Sequence, residues 1–451
     1  MAQITNIKKF AIKHDVRYLT VFIVDINGVL RGKRLPVDQL DRVINDGTRM
    51  PFSAANVDIW GRDIADSPLV FKSGDKDGKC IWTSRAPILM NGNESKNLYI
   101  PMSYANEDGS PYMGDSRNVL INVLQNYAAE NLTPVLGLEL EFYLTSPVAP
   151  DPAIANPLNG AKKVHDGVLS VDDISDYSKF LDEICECCEA NAIALEAISS
   201  ESGMSQFEIN LRHTEDVLKL ADGLIFLKNI IRLISRKNGF AATFMAKPFA
   251  SRPGNGIHAH FSLLNENKRN VFDNGTETGS DNMLSSVGGL LAHMRQSALI
   301  FAPHLNSFRR LSPKQHAPLN FTWGYENRTA AIRIPGGKYS SRRIEHRVAG
   351  ADTNIYLVLA AILGAALDGL LHGTRPPQPV LGDCSYSDIG QEDALPATWF
   401  EAISSFEQGD LIGGALNSVI RDMLIRTKRQ ELLTFAHDVS SFEYETYLET
   451  V

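Results

Sequence analysis

Residues 135–144 read VLGLELEFYL, and the alternation in this run predicts a β-strand with two chemically different faces. Leu138 and Leu140 lie on one face, so Glu139 and Glu141 lie on the other. Two carboxylates about 7 Å apart on one strand face repel each other unless solvent, a base or a cation neutralises them. The run therefore predicts either a solvated sheet surface or a polar site that holds cations.

Four further segments place ionisable groups between apolar ones. They are Glu208 in SQFEINL (205–211), His258 and His260 in GIHAHFSL (256–263), Arg333 in AAIRIP (330–335), and Glu345 with Arg347 in RRIEHRV (342–348). Each segment alone is typical of surface polarity or of an ion-pair network. Because the pattern recurs on five predicted strands, we expect one shared polar interior that faces a ligand.

The types of side chain in this set indicate the chemistry. Carboxylates with few imidazoles suit Mg²⁺ or Mn²⁺ better than zinc, which favours thiolates or several histidines. Arginines, whose guanidinium groups suit phosphate and carboxylate recognition, are also clustered late in the chain: Arg309, Arg310, Arg328, Arg333, Arg342, Arg343 and Arg347. Metal-binding carboxylates beside an arginine wall predict phosphoryl transfer from a nucleotide. The pattern G-x-x-x-x-G-K-[ST] does not occur, which excludes a Walker-type nucleotide site.

The composition is that of an ordinary soluble globular protein. The chain has 451 residues, 44% hydrophobic and 22% charged, with a net charge of −9. This acidity argues against nucleic-acid or anionic membrane partners. The five cysteines predict reduced thiols and a cytoplasmic location; a metal site in CECC (185–188) is the less favoured alternative, since no second cysteine or histidine pair accompanies it. The apolar run 355–367 predicts a buried helix, because Asp368 ends it short of a membrane span.

The order of the patterns predicts an α+β protein with two domains. Residues 1–108 form a small strand-rich domain, in which the strand YLTVFIVDI (18–26) meets a hairpin signal at Asn27-Gly28. Residues 109–451 form a larger domain, where strands and helices alternate before a mainly helical final third. Residues 145–163 predict a long surface loop.

Seven blocks resemble, in order and spacing, those of the glutamine synthetases. They are GLELEFYL, ESGMSQFEINL, FMAKP, PGNGIHAHFSL, NSFRRL, ENRTAAIRIP and RRIEHRVAGAD. Within that family the segments VDINGVLRGKRLP, LSVDDISDYSKFLDEI and FEINLRHTEDVL look closest to amine ligases of the γ-glutamylputrescine synthetase type. The resemblance implies a β-grasp N-terminal domain and a catalytic domain with a curved antiparallel sheet flanked by helices. It also implies a homo-oligomer of two stacked rings, a dodecamer, whose active sites are shared between neighbouring subunits.

The resemblance also implies a role for individual residues. Those that match metal ligands are Glu141, Glu201 and Glu208 for one Mg²⁺ or Mn²⁺ ion, and Glu139, His258 and Glu345 for a second. Those that match nucleotide contacts are His260, Ser262 and Arg343, with Arg328 and Arg333 at the γ-phosphate of ATP. Those that match contacts to substrate glutamate are Gly254, Arg310 and Arg347. Arg328, Arg333, Glu141 and Glu345 are the residues expected to be catalytic.

Two departures from the family favour a larger amine over ammonia. His316 stands where ammonia-using enzymes place a flap glutamate, and Ser53 stands where they carry an aspartate that completes the cation site from the next subunit. Loss of two carboxylates lowers affinity for ammonium and leaves apolar space for a carbon chain. His316 either assists deprotonation or lines the entrance. A third departure, Pro253 in place of an asparagine, changes recognition of the acid. The alternatives are glutamine synthetase itself and a catalytically silent ring-forming homologue.

Overall fold

The computed structural model describes residues 2–148, 156–158, 160, 167–311, 317–384, 394–410 and 412–451, apart from the side chains of residues 2–4 and 93. The strands are β1 Tyr18–Val24, β2 Leu30–Pro36, β3 Thr48–Pro51, β4 Asp77–Trp82, β5 Asn97–Ala105, β6 Thr133–Thr145, β7 Leu195–Ser200, β8 Gln206–Thr214, β9 Ala241–Thr243, β10 Ile257–Leu264, β11 Trp323–Tyr325, β12 Ile332–Ile334 and β13 Ile344–His346. Most of the predicted loop 145–163 lies outside the described residues.

The α-helices surround these strands and fill the last part of the chain. They are α1 Ala2–Lys13, α2 Leu40–Asp46, α3 Pro68–Phe71, α4 Ser116–Ala129, α5 Val171–Asp176, α6 Ser178–Ala190, α7 Val217–Lys237, α8 Asp281–Ala292, α9 Met294–Phe301, α10 Leu305–Arg310, α11 Ile355–His372, α12 Trp399–Gln408, α13 Ser418–Ala436 and α14 Ser441–Tyr447. The α+β class is therefore confirmed.

The strands form two sheets. The first has the order β2-β1-β5-β4-β3 and lies entirely before residue 108. The second has the order β11-β12-β13-β10-β6-β8-β7, with β9 paired to β6. Its pairs are antiparallel except for β11 with β12, so the predicted antiparallel sheet carries one parallel edge. The division of the chain at residue 108 stays a prediction.

The predicted hairpin at Asn27-Gly28 is confirmed and lies against the larger sheet's helices. Strands β1 and β2 pair antiparallel through a turn at Gly28, whose φ of +78° is one that glycine adopts without strain. The backbone amides of Asn27 and Val29 both donate to the Asp25 carboxylate at 2.9 Å. The Asn354 side chain then donates to the Asp25 carbonyl oxygen at 3.0 Å, which ties this turn to the start of α11.

The apolar helix α11 is the centre of the core. By length and composition it could cross a membrane, but 78% of its most apolar window is buried inside the protein. Asn354 caps its first turn by accepting from the Tyr356 amide. Helix α8 crosses it closely, because a Cβ on Gly289 would lie 2.2 Å from the Ala365 carbonyl oxygen. The predicted buried helix is therefore confirmed.

Candidate active site

The five segments with ionisable side chains are five neighbouring strands of the larger sheet, in the order β12-β13-β10-β6-β8. Directly paired residues in a sheet present their side chains on the same face. The paired polar residues are Arg333 with Glu345, Glu345 with His260, His258 with Glu139, Glu139 with Asn210, and Glu141 with Glu208. The shared polar face predicted from the sequence is therefore present.

Glu139 lies at the middle of this face. Its two carboxylate oxygens lie 3.0 Å from His258 Nδ1 and 3.0 Å from His260 Nε2. The Asn210 amide donates to the same carboxylate at 3.4 Å. Burial opposes ionisation of Glu139, but the bonds from His258 and then His260 outweigh it and hold the pKa of this carboxyl well below its usual range. Glu139 is thus an ionised acceptor with two imidazoles beside it.

Glu345 is the most buried carboxylate of the face, with its side chain 1% exposed. Arg333 Nη1 donates to one oxygen at 2.7 Å, and Arg347 Nη1 donates to the other. Burial again opposes ionisation, but Arg347, His260, His258 and Arg333 hold the pKa of Glu345 at about 2. The predicted pairing of Glu345 with Arg347 on one face is confirmed.

A second group of carboxylates, Glu201 and Glu208, forms no ion pair with any described residue. Glu201, in the turn between β7 and β8, has its pKa raised to about 7 by burial and then by the charge of Glu141. Glu208 has its pKa raised to about 9 by burial and then by Glu139, Glu141 and Glu201. These acidic groups repel one another in the absence of a cation. The arrangement therefore favours divalent cations, which neutralise the carboxylates that crowd one another.

The donor atoms fit such ions. Within the described residues, ligand atoms lie within 4.8 Å of one another in two overlapping groups: Glu139, His260 and Glu345, and Glu139, Glu208 and His258. Carboxylate oxygens with few imidazoles are the donors that Mg²⁺ and Mn²⁺ accept. The groups share members with the two predicted ligand sets. The difference is that His260, predicted as a nucleotide contact, lies in one group and His258 in the other. The assignment of each ligand to one ion stays a prediction.

Glu208→Gln is expected to change how the stability of the metal-free protein depends on pH. The Glu208 carboxyl ionises near 4.5 when unfolded and near 9 when folded, so between these values the folded state keeps a proton that the unfolded chain releases. The contribution of Glu208 to the free energy of unfolding therefore falls as pH rises through this window. Because glutamine does not ionise, the melting temperature of the variant, relative to wild type in chelator, should rise from pH 5 to pH 8.

A matched control is Glu107→Gln. Its hydrogen bond and ion pair with Arg49 lower the pKa of Glu107, which is therefore ionised across this range in both states. The melting-temperature difference for this control should stay constant from pH 5 to pH 8. A constant difference for Glu208→Gln as well would contradict the crowding of carboxylates on this face.

The predicted glutamate contacts lie at one end of the face. Arg310, at the end of α10, is buried and donates from Nη1 to the Val348 carbonyl oxygen at 2.7 Å. A Cβ on Gly254 would lie 2.8 Å from Arg310 Cγ and 2.4 Å from the Ala246 carbonyl oxygen. The Gly256 amide donates to Glu141 at 2.6 Å. The structure thus brings this glycine-containing loop between Arg310 and Glu141.

The predicted nucleotide contacts Ser262 and Arg343 lie toward the other end, whereas Arg328 lies nearer to Glu201. Ser262 lines a cavity of about 530 Å³ together with His213 and Ser340. Arg343 Nε donates to His260 Nδ1 at 3.4 Å. Arg328 is exposed in the turn before β12, and its charge lowers the pKa of Glu201, which places the two side chains near each other. The same face therefore continues from the carboxylates into a cavity.

The alternating pattern of the sequence did not predict that His213 lies near this polar face. Its ring centroid lies 6.0 Å from that of His260, and it lines the cavity beside Ser262. The register between β6 and β8 shifts between Leu136 and Leu138, which breaks the strict alternation near residue 213. Such an irregularity leaves no signal in a period-two pattern.

One predicted substrate residue is not part of this face within a single chain. Ser53 lies in the short turn Phe52–Ala55 of the N-terminal part, is buried, and donates to Asp75 at 2.6 Å. The prediction assigns it to the site of a neighbouring subunit, and it stays a prediction. His316 lies outside the described residues.

The fold and this face define a class: an α+β protein whose sheet carries carboxylate and imidazole donors that suit divalent cations, with arginines beside them. The family profile described as glutamine synthetase, catalytic domain, matches residues 113–447. The chain belongs to the glutamine synthetase family and is a ligase of that family.

Two curated relatives share the same sequence identity with this chain. The gamma-glutamylputrescine synthetase PuuA of Escherichia coli (strain K12) is 32% identical over 447 residues, which cover 96% of this chain and 92% of the relative. A glutamine synthetase of Pyrococcus abyssi (strain GE5 / Orsay) is 32% identical over 439 residues, covering 96% and 91%. The solved structure of a GmaS/ADP complex superposes with a TM-score of 0.84 at 25% identity and covers 98% of this chain and 99% of that chain. The expected glutamine synthetase fold is therefore confirmed.

Proposed function

We propose that the protein is an ATP-dependent ligase that joins the γ-carboxylate of glutamate to a primary amine through γ-glutamyl phosphate. The observation that carries this proposal is the sheet face on which Glu139, Glu208 and Glu345 lie beside two histidines and two arginines. Its similarity to an enzyme named gamma-glutamylputrescine synthetase supports the amine. A polyamine such as putrescine, or another alkyl or aryl amine, is the proposed acceptor.

Divalent cations are the proposed cofactors. Glu141, Glu201 and Glu208 would hold one Mg²⁺ or Mn²⁺ ion, and Glu139, His258 and Glu345 a second. When bound, these ions supply charge neutralisation at the phosphates of ATP. The carboxylates fit this role, because the raised pKa values of Glu201 and Glu208 report crowded negative charge that a cation relieves.

The reaction that we propose has two steps. An oxygen of glutamate's γ-carboxylate attacks the γ-phosphorus of ATP, and the bond to ADP breaks. The neutral amine then attacks the carbonyl carbon of γ-glutamyl phosphate, inorganic phosphate leaves, and the amine nitrogen loses a proton. Arg328 and Arg333 offset charge at the transferred phosphoryl group, while Arg310, Arg347 and Gly254 hold glutamate. His260, Ser262 and Arg343 bind the nucleotide.

The choice of amine over ammonia depends on two positions. Ser53 and His316 replace two carboxylates that would attract ammonium. Glutamine synthetase is the second candidate function, and the Pyrococcus relative at 32% identity supports it. A silent ring-forming homologue is less well supported, because the crowded carboxylates of Glu201 and Glu208 would be costly to keep without cations that neutralise them.

An amine panel tests this proposal. Phosphate release would be measured with glutamate and ATP fixed, against ammonium, putrescine, spermidine, an alkylamine and an arylamine. Turnover with at least one organic amine is expected to exceed turnover with ammonium, because the carbon chain adds buried apolar surface worth about 0.8 kcal/mol for each methylene group. Equal or higher turnover with ammonium would reject the amine, and no ADP with any acceptor would reject a ligase.

The variant His316→Glu, measured in the same assay, tests whether residue 316 selects the acceptor. A carboxylate at this position should move the preference toward ammonium. An unchanged amine profile would mean that residue 316 does not select the acceptor.

The cellular setting is proposed on the same basis. We infer a cytoplasmic enzyme of amine catabolism that assembles as a ring-type homo-oligomer, a dodecamer, with sites shared between subunits. Its partners are glutamate, ATP and the amine, with no nucleic acid and no membrane.

A further inference from the structure

A cavity of about 430 Å³ lies outside the proposed active site, between the N-terminal hairpin and helix α7. The turn at residues 27–30 and Ile59 form one wall. Helix α7 contributes Lys228 and Arg232, and the segment 242–245 that begins in β9 forms a second wall. His304, Asn306 and Asp352 also line the cavity. Its volume is that of a small-molecule site.

The two cations on α7 lack carboxylate partners. Lys228 Nζ donates to the Ala351 carbonyl oxygen at 2.7 Å, and no described residue forms an ion pair with it. No described residue accepts a hydrogen bond from the Arg232 guanidinium, which lies 4.9 Å from the centre of the Phe244 ring. Lys228 Nζ lies 5.3 Å from the same ring. The two positive groups are one helical turn apart and face one aromatic side chain between them.

The electrostatic state of this pair favours an anion. Burial, and then the charge of Arg232, lower the pKa of Lys228 to about 7. Burial, and then Arg236, lower the pKa of Arg232. Asp352 also lines the cavity: one oxygen of its carboxylate accepts a hydrogen bond from Ser307 at 2.7 Å, and the other accepts none from the described residues. Its charge raises the pKa of Lys228, but burial and Arg232 outweigh it, so the two cations still exceed this one carboxylate. A buried cation without a carboxylate is costly, and an anionic ligand would offset that cost.

The other walls of the cavity indicate the chemistry of the part of the ligand beyond its acid group. Val29, Leu30, Ile225, Phe244 and Met245 give the cavity apolar wall surface beside its charged side. Uncharged polar side chains line part of the remainder: Asn27, Asn229, Thr243 and Asn306. A planar guanidinium binds a carboxylate through two parallel hydrogen bonds. We propose that this cavity binds a small organic carboxylate, with the acid group at Lys228 and Arg232 and the carbon chain on the apolar walls.

Two connections link this cavity to the proposed glutamate site. Asp352 holds Ser307, which lies on the same helix α10 as Arg310. The Asn255 amide donates to the Met245 carbonyl oxygen at 2.9 Å, next to Gly254. An occupant would therefore contact both elements that position the glutamate contacts. We expect a bound carboxylate to change the KM for glutamate, and this second expectation rests on the proposed function.

Calorimetry on the assembled full-length protein tests the site without using activity. The probes are butyrate, leucine and glutarate, with butylamine and inorganic phosphate for comparison. At least one carboxylate should bind with one site per chain. Arg232→Gln should weaken its Kd at least about tenfold, since a charge-assisted hydrogen bond contributes about that much. The matched control is Arg236→Gln on the same helix, which is exposed and does not line the cavity; its Kd should stay within about twofold of wild type.

Each other outcome would overturn the proposal. No carboxylate binding to the wild type, or equal binding to Arg232→Gln, would mean that the cavity is not the site. Binding of phosphate alone would assign it to a different anion. The melting temperature of ligand-free Arg232→Gln should equal or exceed that of wild type, because an unpartnered cation is removed. Lost activity with intact carboxylate binding would count against the proposed function and not against this site.

Discussion

Glu345→Gln is expected to lower the rate of ADP formation by about a thousandfold and to destabilise the metal-free protein. Arg333 donates to Glu345 at 2.7 Å, and Arg347 donates to its other oxygen, while the side chain is 1% exposed. Glutamine has the same shape but no charge, so both guanidinium groups lose their ionised acceptor. Breaking a buried pair on one side costs roughly 3 kcal/mol. Loss of a proposed metal ligand should lower kcat by about a thousandfold.

Glu326→Gln is the matched control for this variant. Glu326 also contacts Arg333, at 3.5 Å, but its side chain is 61% exposed. Surface ion pairs contribute about 0–1 kcal/mol. Phosphate release and a urea unfolding curve should both remain close to wild type for this control. Turnover by Glu345→Gln above about a tenth of wild type would show that the carboxylate is not part of the chemistry.

Glu141→Gln is expected to lower kcat as much as Glu345→Gln does. Unlike Glu345→Gln, it is expected to raise the free energy of unfolding of the metal-free protein. Glu141 raises the pKa values of Glu201 and Glu208, so its charge works against the folded metal-free protein. Glutamine keeps an oxygen that can accept from the Gly256 amide, as Glu141 does at 2.6 Å. Removing the charge should therefore raise the free energy of unfolding in chelator, most clearly near pH 8, where Glu208 is most costly.

The two variants thus share one effect on catalysis and have opposite effects on stability. The effect on stability is measured as the melting temperature of each variant in chelator at pH 6 and pH 8, and the effect on catalysis is measured as kcat. If Glu141→Gln were destabilised as much as Glu345→Gln, the carboxylates near Glu141 would not be repelling one another. Retained activity in Glu141→Gln would mean that its predicted role at a metal ion is misplaced.

The strand pattern was sufficient to predict the polar face but not its internal arrangement. Glu139, His258 and Glu345 could be placed on one face because each alternates with apolar residues in its own strand. The order β12-β13-β10-β6-β8 depends on long-range pairing, which local alternation does not encode. His213 escaped because a register shift near it breaks the period of two.

Residues in turns carry no periodic signal at all. Glu201 lies between β7 and β8, and Arg328 lies in the turn before β12. Only the resemblance of whole blocks to a known family pointed to Glu201. The residues alone placed Arg328 in a cluster of seven arginines without indicating its role. The cavity beside Lys228 and Arg232 was also not predictable, since it forms where the N-terminal hairpin meets a helix about 200 residues further along the chain. Contacts of this kind depend on how the two parts pack.

Titration of the assembled protein with Mn²⁺, with free metal followed by electron paramagnetic resonance, tests the central claim most directly. Carboxylates that crowd one another on a sheet face are predicted to take up at least two ions per chain, in line with the two overlapping donor groups. The double variant Glu141→Gln/Glu345→Gln should bind fewer. Absence of Mn²⁺ binding, or the same stoichiometry in wild type and double variant, would contradict the account.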